Sequence, residues 1–476
     1  MALALSLALA AIQLLIVVRL LLNADMGADA RLAWLVLTLF LPAVGAVLYL
    51  LFGERWLARR FRRRVANTRG LLTLPAGLGG SYGIDSVPDR YRPVFATCGR
   101  IGGTSVVAGN HAELAPDSDS AIASMVSDFD RARGTIHISF YIWLTDNNGT
   151  KVVDALCRAA LRGVTCRVVV DGVGSRGLIE SAQWTAMAAA GVKLCVSLAP
   201  KLGWSIASIS RPDLRNHRKI VVIDDEVTYC GSQNCADPQF RLKPKFAPWV
   251  DIMLRLDGPI VRQNQLIFAG DWMVEFGEDL SDLIDAPLRA AVGDGFPAVA
   301  FGTGPTSPKG AMSSAFVALL NSAEQQAVIS TPYFVPDLPL LEAVLSCARR
   351  GVRTTLILPA RNDSAVVAAI SQAHYGELLA AGVAVWEFAG GLLHAKTLVV
   401  DREVTLIGSA NMDYRSLNLN FENNILLYSP EISASVRQRQ ETYLARSTAV
   451  ELGRVRKRPK LRMAFDNLLT LAGPLF

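Results

Sequence analysis

The sequence lacks the paired side chains that would indicate a disulfide framework or a zinc site. Its seven cysteines are odd in number and scattered, and no C-x-x-C pair occurs among them. Disulfide frameworks and structural zinc sites depend on cysteines at short, regular spacings, so neither is indicated. The chain also lacks a cluster of aspartates with glycine and arginine at fixed spacing that could bind a metal. Unpaired cysteines fit catalytic domains that are kept in a reducing compartment.

Composition then bounds the class of protein. The 476 residues suffice for roughly three units of ~150 residues, although large α/β lobes often exceed that size. Apolar residues make up 51% of the chain and its mean hydropathy is +0.30, which is high for a soluble enzyme and indicates membrane segments. A net charge of +6 and a pI near 9.0 favour an anionic partner. Charge alone does not decide between nucleic acid and an acidic lipid surface.

Two long apolar runs stand near the N-terminus, from Leu3 to Leu22 and from Trp34 to Phe52. Each is about as long as a helix that spans a bilayer, so residues 1–64 are predicted to contain a transmembrane helical hairpin. The alternatives are a cleaved signal peptide for the first run and a buried core helix for the second. A basic juxtamembrane segment follows, which by the positive-inside rule lies in the cytoplasm with the catalytic part. Its arginines are Arg55, Arg59, Arg60, Arg62, Arg63 and Arg64.

Beyond this segment the chain is predicted to contain a linker and a duplication. Residues 65–107 are assigned to the linker because 73–103 are rich in glycine, proline and serine. Strand and helix patterns then alternate, which predicts a largely parallel sheet covered by helices. Tyr141-Ile142-Trp143 returns as Tyr333-Phe334-Val335, and other short sequences return in the same order. We therefore predict two duplicated lobes, 108–295 and 296–476.

One pattern, His-x-Lys-x4-Asp-x6-Gly-Ser-x-Asn, occurs once in each predicted lobe. Its matched spacing suggests a single site that is assembled from two related halves. Histidine and lysine are two positions apart, so in a strand they project from the same face, whereas the aspartate falls on the opposite face. The aspartates are therefore expected to support the site rather than to attack the substrate. The first copy contains His217, Lys219, Asp224, Ser232 and Asn234, and the second contains His394, Lys396, Asp401, Ser409 and Asn411.

These side chains suit chemistry at a tetrahedral phosphorus. Lysine and asparagine donate hydrogen bonds that strengthen as negative charge grows on a phosphoryl group, and the small Gly-Ser segments permit a close approach of the ligand. Phosphate binding is therefore assigned to Ser232, Asn234, Ser409 and Asn411. A neutral imidazole can attack phosphorus while a second, protonated imidazole donates to the departing oxygen. We therefore predict in-line displacement without a metal ion or cofactor. The remaining histidines, His111, His137 and His374, belong to no such pattern and are taken as ordinary core or surface residues.

The two motifs resemble the paired HKD motifs of the phospholipase D superfamily, and the resemblance covers essentially the whole chain after the linker. More narrowly, Arg215-Asn216-His217-Arg218-Lys219 and Asn420-Phe421-Glu422-Asn423 resemble bacterial cardiolipin synthases of the phospholipase D type. The resemblance implies an α/β fold of two α/β/α lobes with pseudo-two-fold symmetry and a phosphohistidine intermediate. It also implies a carboxylate downstream of each motif that orients a histidine, Asp251 in the first half and Glu422 in the second.

The activity that this resemblance implies is transfer of a phosphatidyl group between two phosphatidylglycerols, with release of glycerol, at the bacterial inner membrane. Following the family's usual pattern, His217 would attack and His394 would transfer protons. The implied partners are phosphatidylglycerol, cardiolipin and anionic membrane lipids, without nucleic acid; the oligomeric state is not indicated. A hydrolase, or a transphosphatidylase that uses another lipid or alcohol, remains an alternative. A non-catalytic scaffold would not require both complete motifs.

The second lobe ends in a basic amphipathic tail. Leu461, Phe465 and Leu468 recur at helical spacing next to a run of arginines and lysines between Arg454 and Arg462. Such a segment can lie on an anionic membrane surface. A solvated basic helix that packs on the enzyme is the alternative.

Overall fold

The computed structural model describes residues 2–23, 26–53, 59–72, 81–199, 213–285 and 294–471. Arg55 of the basic segment and residues 73–80 of the predicted linker therefore lie outside the described residues.

The N-terminal apolar runs are helical. The second run is divided at Leu41 (φ −127°, ψ 70°), because a residue that precedes a proline is disfavoured in the helical region. Trp34 packs edge-on against Tyr49 with 5.6 Å between ring centroids, so the two pieces fold against each other. Judged on the residues described, no helix combines the length and apolar character needed to cross a membrane. The helices are α1 (Ala2–Leu22), α2 (Ala28–Phe40), α3 (Pro42–Phe52) and the basic α4 (Arg59–Leu71).

The first half alternates strands and helices as the sequence predicts. Its elements are α5 (Arg92–Gly102), β1 (Val107–Leu114), α6 (Ser118–Arg131), β2 (Thr135–Phe140), α7 (Asn147–Leu161), β3 (Thr165–Asp171), α8 (Arg176–Ile179), α9 (Ala182–Ala189), β4 (Lys193–Ser197), β5 (Arg215–Asn216), β6 (Lys219–Ile223), β7 (Val227–Gly231), β8 (Trp249–Val250), β9 (Met253–Asp257), α10 (Ile260–Glu275) and α11 (Ser281–Asp285).

The second half repeats this order. Its elements are β10 (Phe296–Thr303), α12 (Ala311–Asn321), β11 (Gln326–Ser330), β12 (Phe334–Val335), α13 (Leu338–Arg349), β13 (Arg353–Pro359), α14 (Ala365–Ala373), α15 (Tyr375–Ala380), β14 (Ala384–Phe388), β15 (Leu392–Leu393), β16 (Thr397–Val400), β17 (Val404–Gly408), β18 (Met412–Asp413), α16 (Tyr414–Asn418), β19 (Asn420–Tyr428), α17 (Pro430–Leu444), β20 (Ser447–Ala449), α18 (Leu452–Arg456) and α19 (Lys460–Leu471).

The duplication is visible in the order of the strands. One half reads β4-β3-β2-β6-β7-β9-β1, and the other reads β14-β13-β11-β16-β17-β19-β10, with β20 added at the outer edge of β14. β1 and β10 pair with each other, so the halves share one continuous sheet. Strand for strand, the two series correspond about a pseudo-two-fold relation. The mixed α/β fold with two related halves therefore agrees with the sequence prediction.

Two features of that prediction are wrong. The sheet is mixed rather than largely parallel. β2, β3 and β4 are parallel to one another, but β6, which begins at Lys219 of the first motif, is antiparallel to both β2 and β7. The linker prediction fails for Arg92–Gly102, because this segment is a helix whose Val94, Phe95 and Cys98 are buried in the core of the second half. Glycine and proline content misled the prediction here, because Pro93 stands at the start of this helix and Gly102 and Gly103 at its end, where both residue types are tolerated.

Candidate active site

Two short strand pairs bring each histidine to the opposite half. β5 pairs in parallel with β19, and the His217 N–H donates to the carbonyl of Phe421 at 2.9 Å. β15 likewise pairs with β8, and the His394 N–H donates to the carbonyl of Val250 at 2.8 Å. In both cases the next residue along the accepting strand is an acid, Glu422 or Asp251. The sheet geometry thus places a carboxylate beside each imidazole.

His217 is held by Glu422. Its Nδ1 lies 3.0 and 2.9 Å from the two carboxylate oxygens. Burial acts to raise the pKa of Glu422, but His217 and Lys219 lower it below its ordinary value, so the group is ionised. Nδ1–H therefore donates to the carboxylate, and the Nε2 lone pair is available for attack. The Ser416 hydroxyl donates to Glu422 at 2.7 Å, and the Ser409 hydroxyl donates to the same carboxylate.

His394 is held by Asp251 in the same way. The His394 Nδ1 to Asp251 Oδ1 distance is 2.6 Å, and the Ser232 hydroxyl donates to that oxygen at 2.6 Å. Burial acts to raise the pKa of Asp251, yet the neighbouring His394 and Lys396 lower it to about 2. This carboxylate is thus a fixed negative charge behind the second imidazole.

The pairing corrects two expectations from the sequence. Asp251 and Glu422 contact the histidine of the other half and not that of their own, because the strands that carry them cross between the halves. Ser232 and Ser409, which were expected to bind phosphate, direct their hydroxyl protons to these carboxylates instead. Each serine has a single proton, so that donor is already engaged.

Two buried lysines complete the centre. The Lys219 Nζ donates to the carbonyl of His217 at 2.6 Å, and the Lys396 Nζ donates to that of His394 at 2.7 Å, which leaves further ammonium protons for a ligand. Burial and the charge of Lys396 lower the pKa of Lys219 to about 7, and burial lowers the pKa of Lys396 to about 8 against the neighbouring carboxylates. Burial also lowers the pKa of both imidazoles to about 4, against the opposing charge of their carboxylates.

These protonation states give the centre of the free enzyme a defined charge. Near neutral pH both carboxylates are negative and both histidines are neutral, while the lysines are partly to largely protonated. Two full ammonium charges would balance the two carboxylates. A bound phosphodiester adds one negative charge, which raises the pKa of the lysines and of the imidazoles together. The arrangement can therefore take up one extra proton on a histidine when its substrate binds.

The two asparagines lie in the same buried region. The Asn234 Oδ1 accepts from the Ile142 N–H at 3.2 Å, and the Asn411 Nδ2 contacts Asp413 at 3.3 Å. The Asn411 Oδ1 is buried without a hydrogen-bond partner. Their role in binding phosphate remains a prediction.

Asp224 and Asp401 stand away from the histidines. Asp224 directly follows β6, which begins at Lys219, and Asp401 directly follows β16, which begins after Lys396. Each aspartate accepts backbone hydrogen bonds from residues at the start of the neighbouring strand. The Asp224 oxygens accept from the N–H groups of Arg133, Gly134 and Thr135 at 2.7–2.8 Å. The Asp401 oxygens accept from Glu324, Gln325 and Gln326 at 2.8–3.0 Å. The contacts of both aspartates are with the backbone of the scaffold, and the supporting role expected from the sequence stays a prediction.

Several neighbours of the site were missed by the sequence reasoning. The Tyr141 ring lies 4.9 Å from the His217 ring, and the Trp249 ring lies 4.5 Å from the His394 ring. Asn423 exchanges hydrogen bonds with the backbone of Lys219 at 2.9 and 3.2 Å. A signal existed for Tyr141, since it recurs as Tyr333, but the importance of Trp249 depends on a contact between distant segments.

The other histidines have ordinary partners. His137 is buried, contacts Gln265 at 2.8 Å and stacks on Phe268. His111 faces Asp257, and His374 faces Glu377, away from the paired motifs. Across the described ranges, no three His, Cys, Asp or Glu side chains are grouped so as to hold a metal ion.

The duplicated fold with a paired HKD centre between its halves defines a phospholipase D-like protein. A family model described as cardiolipin synthase, PLD-like domain, matches residues 125–263 and 316–443. A second, described as phospholipase D-nuclease N-terminal, matches residues 11–54. The chain is 34% identical over 456 residues to cardiolipin synthase A of Yersinia pseudotuberculosis serotype O:1b (strain IP 31758), covering 94% of this chain and 93% of the relative. This chain belongs to the cardiolipin synthase family with a phospholipase D-like domain.

Two further comparisons agree with that membership. Cardiolipin synthase A of Klebsiella pneumoniae (strain 342) is also 34% identical, over 455 residues that cover 94% of this chain and 93% of the relative. The crystal structure of phosphatidylserine synthase from Haemophilus influenzae Rd KW20 matches with a TM-score of 0.60 and 13% identity. That match covers 82% of this chain and 100% of that chain. At this identity the match supports the fold alone.

Proposed function

We propose that this protein is a cardiolipin synthase that transfers a phosphatidyl group from one phosphatidylglycerol to another and releases glycerol. The observation that carries the proposal is the pair of imidazole–carboxylate contacts, His217 with Glu422 and His394 with Asp251, around two buried lysines. Full-length similarity to proteins named cardiolipin synthase A supports the choice of lipid.

In the first step, the Nε2 of His217 attacks the phosphorus of the donor lipid. The bond between phosphorus and the glycerol oxygen breaks, and His394, protonated on Nε2 when the anionic substrate is bound, gives its proton to that oxygen. Lys219 and Lys396 stabilise the charge that grows on the phosphoryl oxygens. The products are glycerol and a phosphatidyl group on His217.

In the second step, the neutral His394 accepts the proton of the glycerol hydroxyl of a second phosphatidylglycerol. The acceptor oxygen bonds to phosphorus, the bond between nitrogen and phosphorus breaks, and His217 is released neutral. One phosphodiester replaces another, so the sequence of steps requires no energy source beyond the substrate. The assignment of His217 as the nucleophile follows the family's usual pattern.

We further propose that residues 1–64 anchor the enzyme in the bacterial inner membrane as a multi-pass hairpin, with the catalytic halves in the cytoplasm. The helices expose many large apolar side chains, including Leu15, Leu22, Leu39 and Phe40, each at least 59% exposed. Soluble surfaces rarely expose apolar residues so densely. Anionic membrane lipids are the partner that this surface and the neighbouring arginines fit.

The test is an incubation of purified enzyme with phosphatidylglycerol and a chelator, followed by separation of the lipids. We expect cardiolipin and free glycerol in equal amounts, and no cardiolipin from the His217→Ala or His394→Ala enzymes. Phosphatidic acid as the sole product would refute the transferase and support the hydrolase. A new phosphatidyl ester of an added alcohol, without cardiolipin, would support a transphosphatidylase with another acceptor.

A further inference from the structure

The two halves differ in length directly beside the catalytic centre. Seventeen positions separate Asn234 from Asp251, whereas eleven separate Asn411 from Glu422. In the second half the shorter connection contains helix α16, whose Ser416 contacts Glu422. In the first half the longer connection includes residues 237–248, which we call the inserted loop. The asymmetry therefore lies on the side of Asp251 and of its partner His394.

The inserted loop is well ordered by its own hydrogen bonds. The N–H groups of Phe240, Lys243 and Phe246 each donate to the backbone carbonyl three residues earlier, at 2.9–3.0 Å. At its base, the Asp237 carboxylate accepts from the N–H groups that begin helix α7, at 2.8 and 3.3 Å. The loop is thus a chain of consecutive turns that is fastened where it leaves the sheet.

The inner face of the loop is an aromatic wall on His394. Phe240 stacks on Trp249 with 3.7 Å between ring centroids, and Trp249 in turn lies 4.5 Å from the His394 ring. Phe240 and Trp249 are 3% and 6% exposed. Water gains little by occupying space against such a surface, because the rings offer few hydrogen-bonding groups.

The tip of the loop is tied to the other half. The Lys243 Nζ lies 2.6 Å from Asp363 Oδ2, and the Tyr333 hydroxyl donates to Asp363 Oδ1 at 2.7 Å. The Asp363 side chain is 3% exposed, whereas that of Lys243 is 46% exposed. An ion pair between a surface lysine and a buried, already hydrogen-bonded carboxylate fixes the position of the tip. The loop therefore bridges the two halves over the His394 side of the site.

The proposed reaction gives this bridge a chemical purpose. In the second step His394 can take a proton from water as readily as from a lipid hydroxyl, so the base itself does not select the acceptor. Selection must come from what can reach the space beside His394. The acceptor lipid carries a phosphodiester of its own, and Lys245 and Arg361 flank Phe246 at 5.9 and 6.0 Å from its ring centroid. Water has no charge that these cations could attract.

We propose that the inserted loop is the acceptor-side wall of the site, and that the Lys243–Asp363 ion pair holds it so that a lipid hydroxyl outcompetes water. This inference rests on the proposed function and goes beyond it by naming what separates transfer from hydrolysis. Lys243 and Asp363 act through the loop and are positioning residues. They touch neither the phosphorus nor the histidines in the contacts described above.

The experiment measures the ratio of cardiolipin to phosphatidic acid that reconstituted enzyme forms in phosphatidylglycerol vesicles. Lys243→Gln and Asp363→Asn should each lower this ratio by roughly three- to tenfold, the scale expected for loss of a partly exposed ion pair that orders a segment. The charge-swapped double variant, Lys243→Asp with Asp363→Lys, should recover part of the ratio. Arg158→Gln is the matched control, because it breaks the exposed ion pair between Arg158 of α7 and Asp130 of α6. This variant should leave the ratio of cardiolipin to phosphatidic acid unchanged.

A second readout separates positioning from simple misfolding. With a phosphatidyl ester of nitrophenol, a burst of nitrophenol reports formation of the adduct on His217, and both variants should keep this burst. Variants that lose the burst together with both products, or that keep the wild-type ratio, would overturn the inference while the proposed function stands. Wild-type enzyme that forms phosphatidic acid alone would instead refute the proposed function, and the role of the loop with it.

Discussion

The two histidines are equivalent in the motif but have different neighbours. His217 contacts Tyr141, and its Glu422 accepts hydroxyl protons from two serines. His394 contacts Trp249, and its Asp251 accepts one. Because both imidazoles are buried and neutral in the free enzyme, their ionisation does not separate nucleophile from acid. The separation has to come from kinetics in which only one of the two roles is needed.

A leaving group that needs no proton should distinguish the carboxylates. With phosphatidylglycerol, Glu422→Gln and Asp251→Asn should each slow the first step by about 10²–10⁴-fold, the usual contribution of an oriented acid or base. With a nitrophenol leaving group, Asp251→Asn should keep most of its adduct formation, since His394 is no longer needed as an acid. Glu422→Gln should stay impaired because His217 must still attack. Rapid-quench measurement of the burst checks both.

The two variants serve as controls for each other, because each replaces one buried carboxylate with its isosteric amide. If Asp251→Asn lost the burst with the activated ester while Glu422→Gln kept it, His394 would be the nucleophile. The crossed pairing seen in the structure would stand, and only the assignment of roles would be exchanged.

The lysines predict an alkaline limit to catalysis. Below about pH 7 both ammoniums are protonated and attract the phosphodiester; as the pH rises through about 7 and about 8, first Lys219 and then Lys396 loses its proton. Since kcat/KM reports the free enzyme, it should fall across this range for a short-chain, soluble phosphatidylglycerol. As the pH falls below 7, kcat/KM should continue to rise toward about pH 4, because His394 is neutral in the free enzyme and must gain a proton together with the substrate. It should fall only where His217, with a pKa of about 4, becomes protonated.

Lys219→Arg isolates the lower of these steps. A guanidinium stays protonated throughout this range, so the added steepness of the fall near pH 7 should disappear while that near pH 8 remains. A flat profile in the wild-type enzyme, or an unchanged profile in Lys219→Arg, would show that the ammonium charges do not govern substrate capture.

At the scale of secondary structure, the motif aspartates fix turns. Asp224 and Asp225 both have positive φ values, 52° and 55°, and join β6 to β7 as a tight hairpin. The Asp224 side chain also accepts three backbone N–H groups from the start of β2. One residue therefore joins three strands of the first half, and Asp401 (φ 52°) has the same place in the second.

Asp224→Asn should lower the free energy of unfolding by about 1–3 kcal/mol, because one neutral amide oxygen replaces the two charged oxygens that accept from three N–H groups. Asparagine tolerates positive φ, so the turn itself should survive. Activity per folded molecule should change little, since the residue is outside the catalytic centre. Denaturant unfolding checks the first expectation and titration of competent sites by the nitrophenol burst checks the second.

Asp89→Asn is the control for this change, since Asp89 has a 90% exposed side chain in a surface pair with Arg92. It should shift the unfolding free energy far less. Loss of turnover in Asp224→Asn without loss of stability would show that Asp224 takes part in catalysis.

What the sequence could predict follows from the range of each interaction. Histidine, lysine and the following buried strand lie within a few residues, so strand parity and spacing were enough to find them. The crossed pairing of His217 with Glu422 spans 205 residues, and that of His394 with Asp251 spans 143. Nothing in local spacing tells which half supplies the carboxylate, because that depends on how β5 and β15 leave their own half. The misassigned linker failed for a related reason, since α5 is helical through its packing against the second half.

At the scale of the whole molecule, the active site exists only between the halves. β1 pairs with β10 through the middle of the sheet, while β5 and β15 pair across to the opposite half beside the histidines. Each histidine is therefore oriented by a residue of the other half, and each half is chemically incomplete alone. A single cooperative core is the expected consequence of such interleaving.

The apolar surfaces outside that core share one side of the molecule. Helix α19 packs against α14. Its fully buried Asp466 pairs with Arg462 and with Arg458, and Arg458 also contacts Gln372 of α14. Its other face exposes apolar side chains, and its Leu468 lines the same groove as Ile16 and Trp34 of the N-terminal helices. The tail is thus a packed helix whose outer face suits a membrane surface, which combines the two alternatives that the sequence left open. The exposed residues are Leu461 (88%), Phe465 (51%) and Leu468 (61%).

If this face touches the bilayer, residue 465 must lie near lipid chains in the reconstituted enzyme. Phe465→Trp should then add tryptophan fluorescence that brominated lipid chains quench, measured as the difference from wild-type enzyme in the same vesicles. Leu161→Trp places the same reporter on another exposed apolar site at the end of α7, 77% exposed against 51% for Phe465, and should not be quenched. Adding Arg462→Gln to Phe465→Trp should weaken quenching in anionic vesicles more than in neutral ones, because the guanidinium attracts anionic head groups. Equal fluorescence of the residue 465 reporter with brominated and ordinary lipids would show that α19 faces water, and that the N-terminal helices alone would hold the enzyme at the membrane.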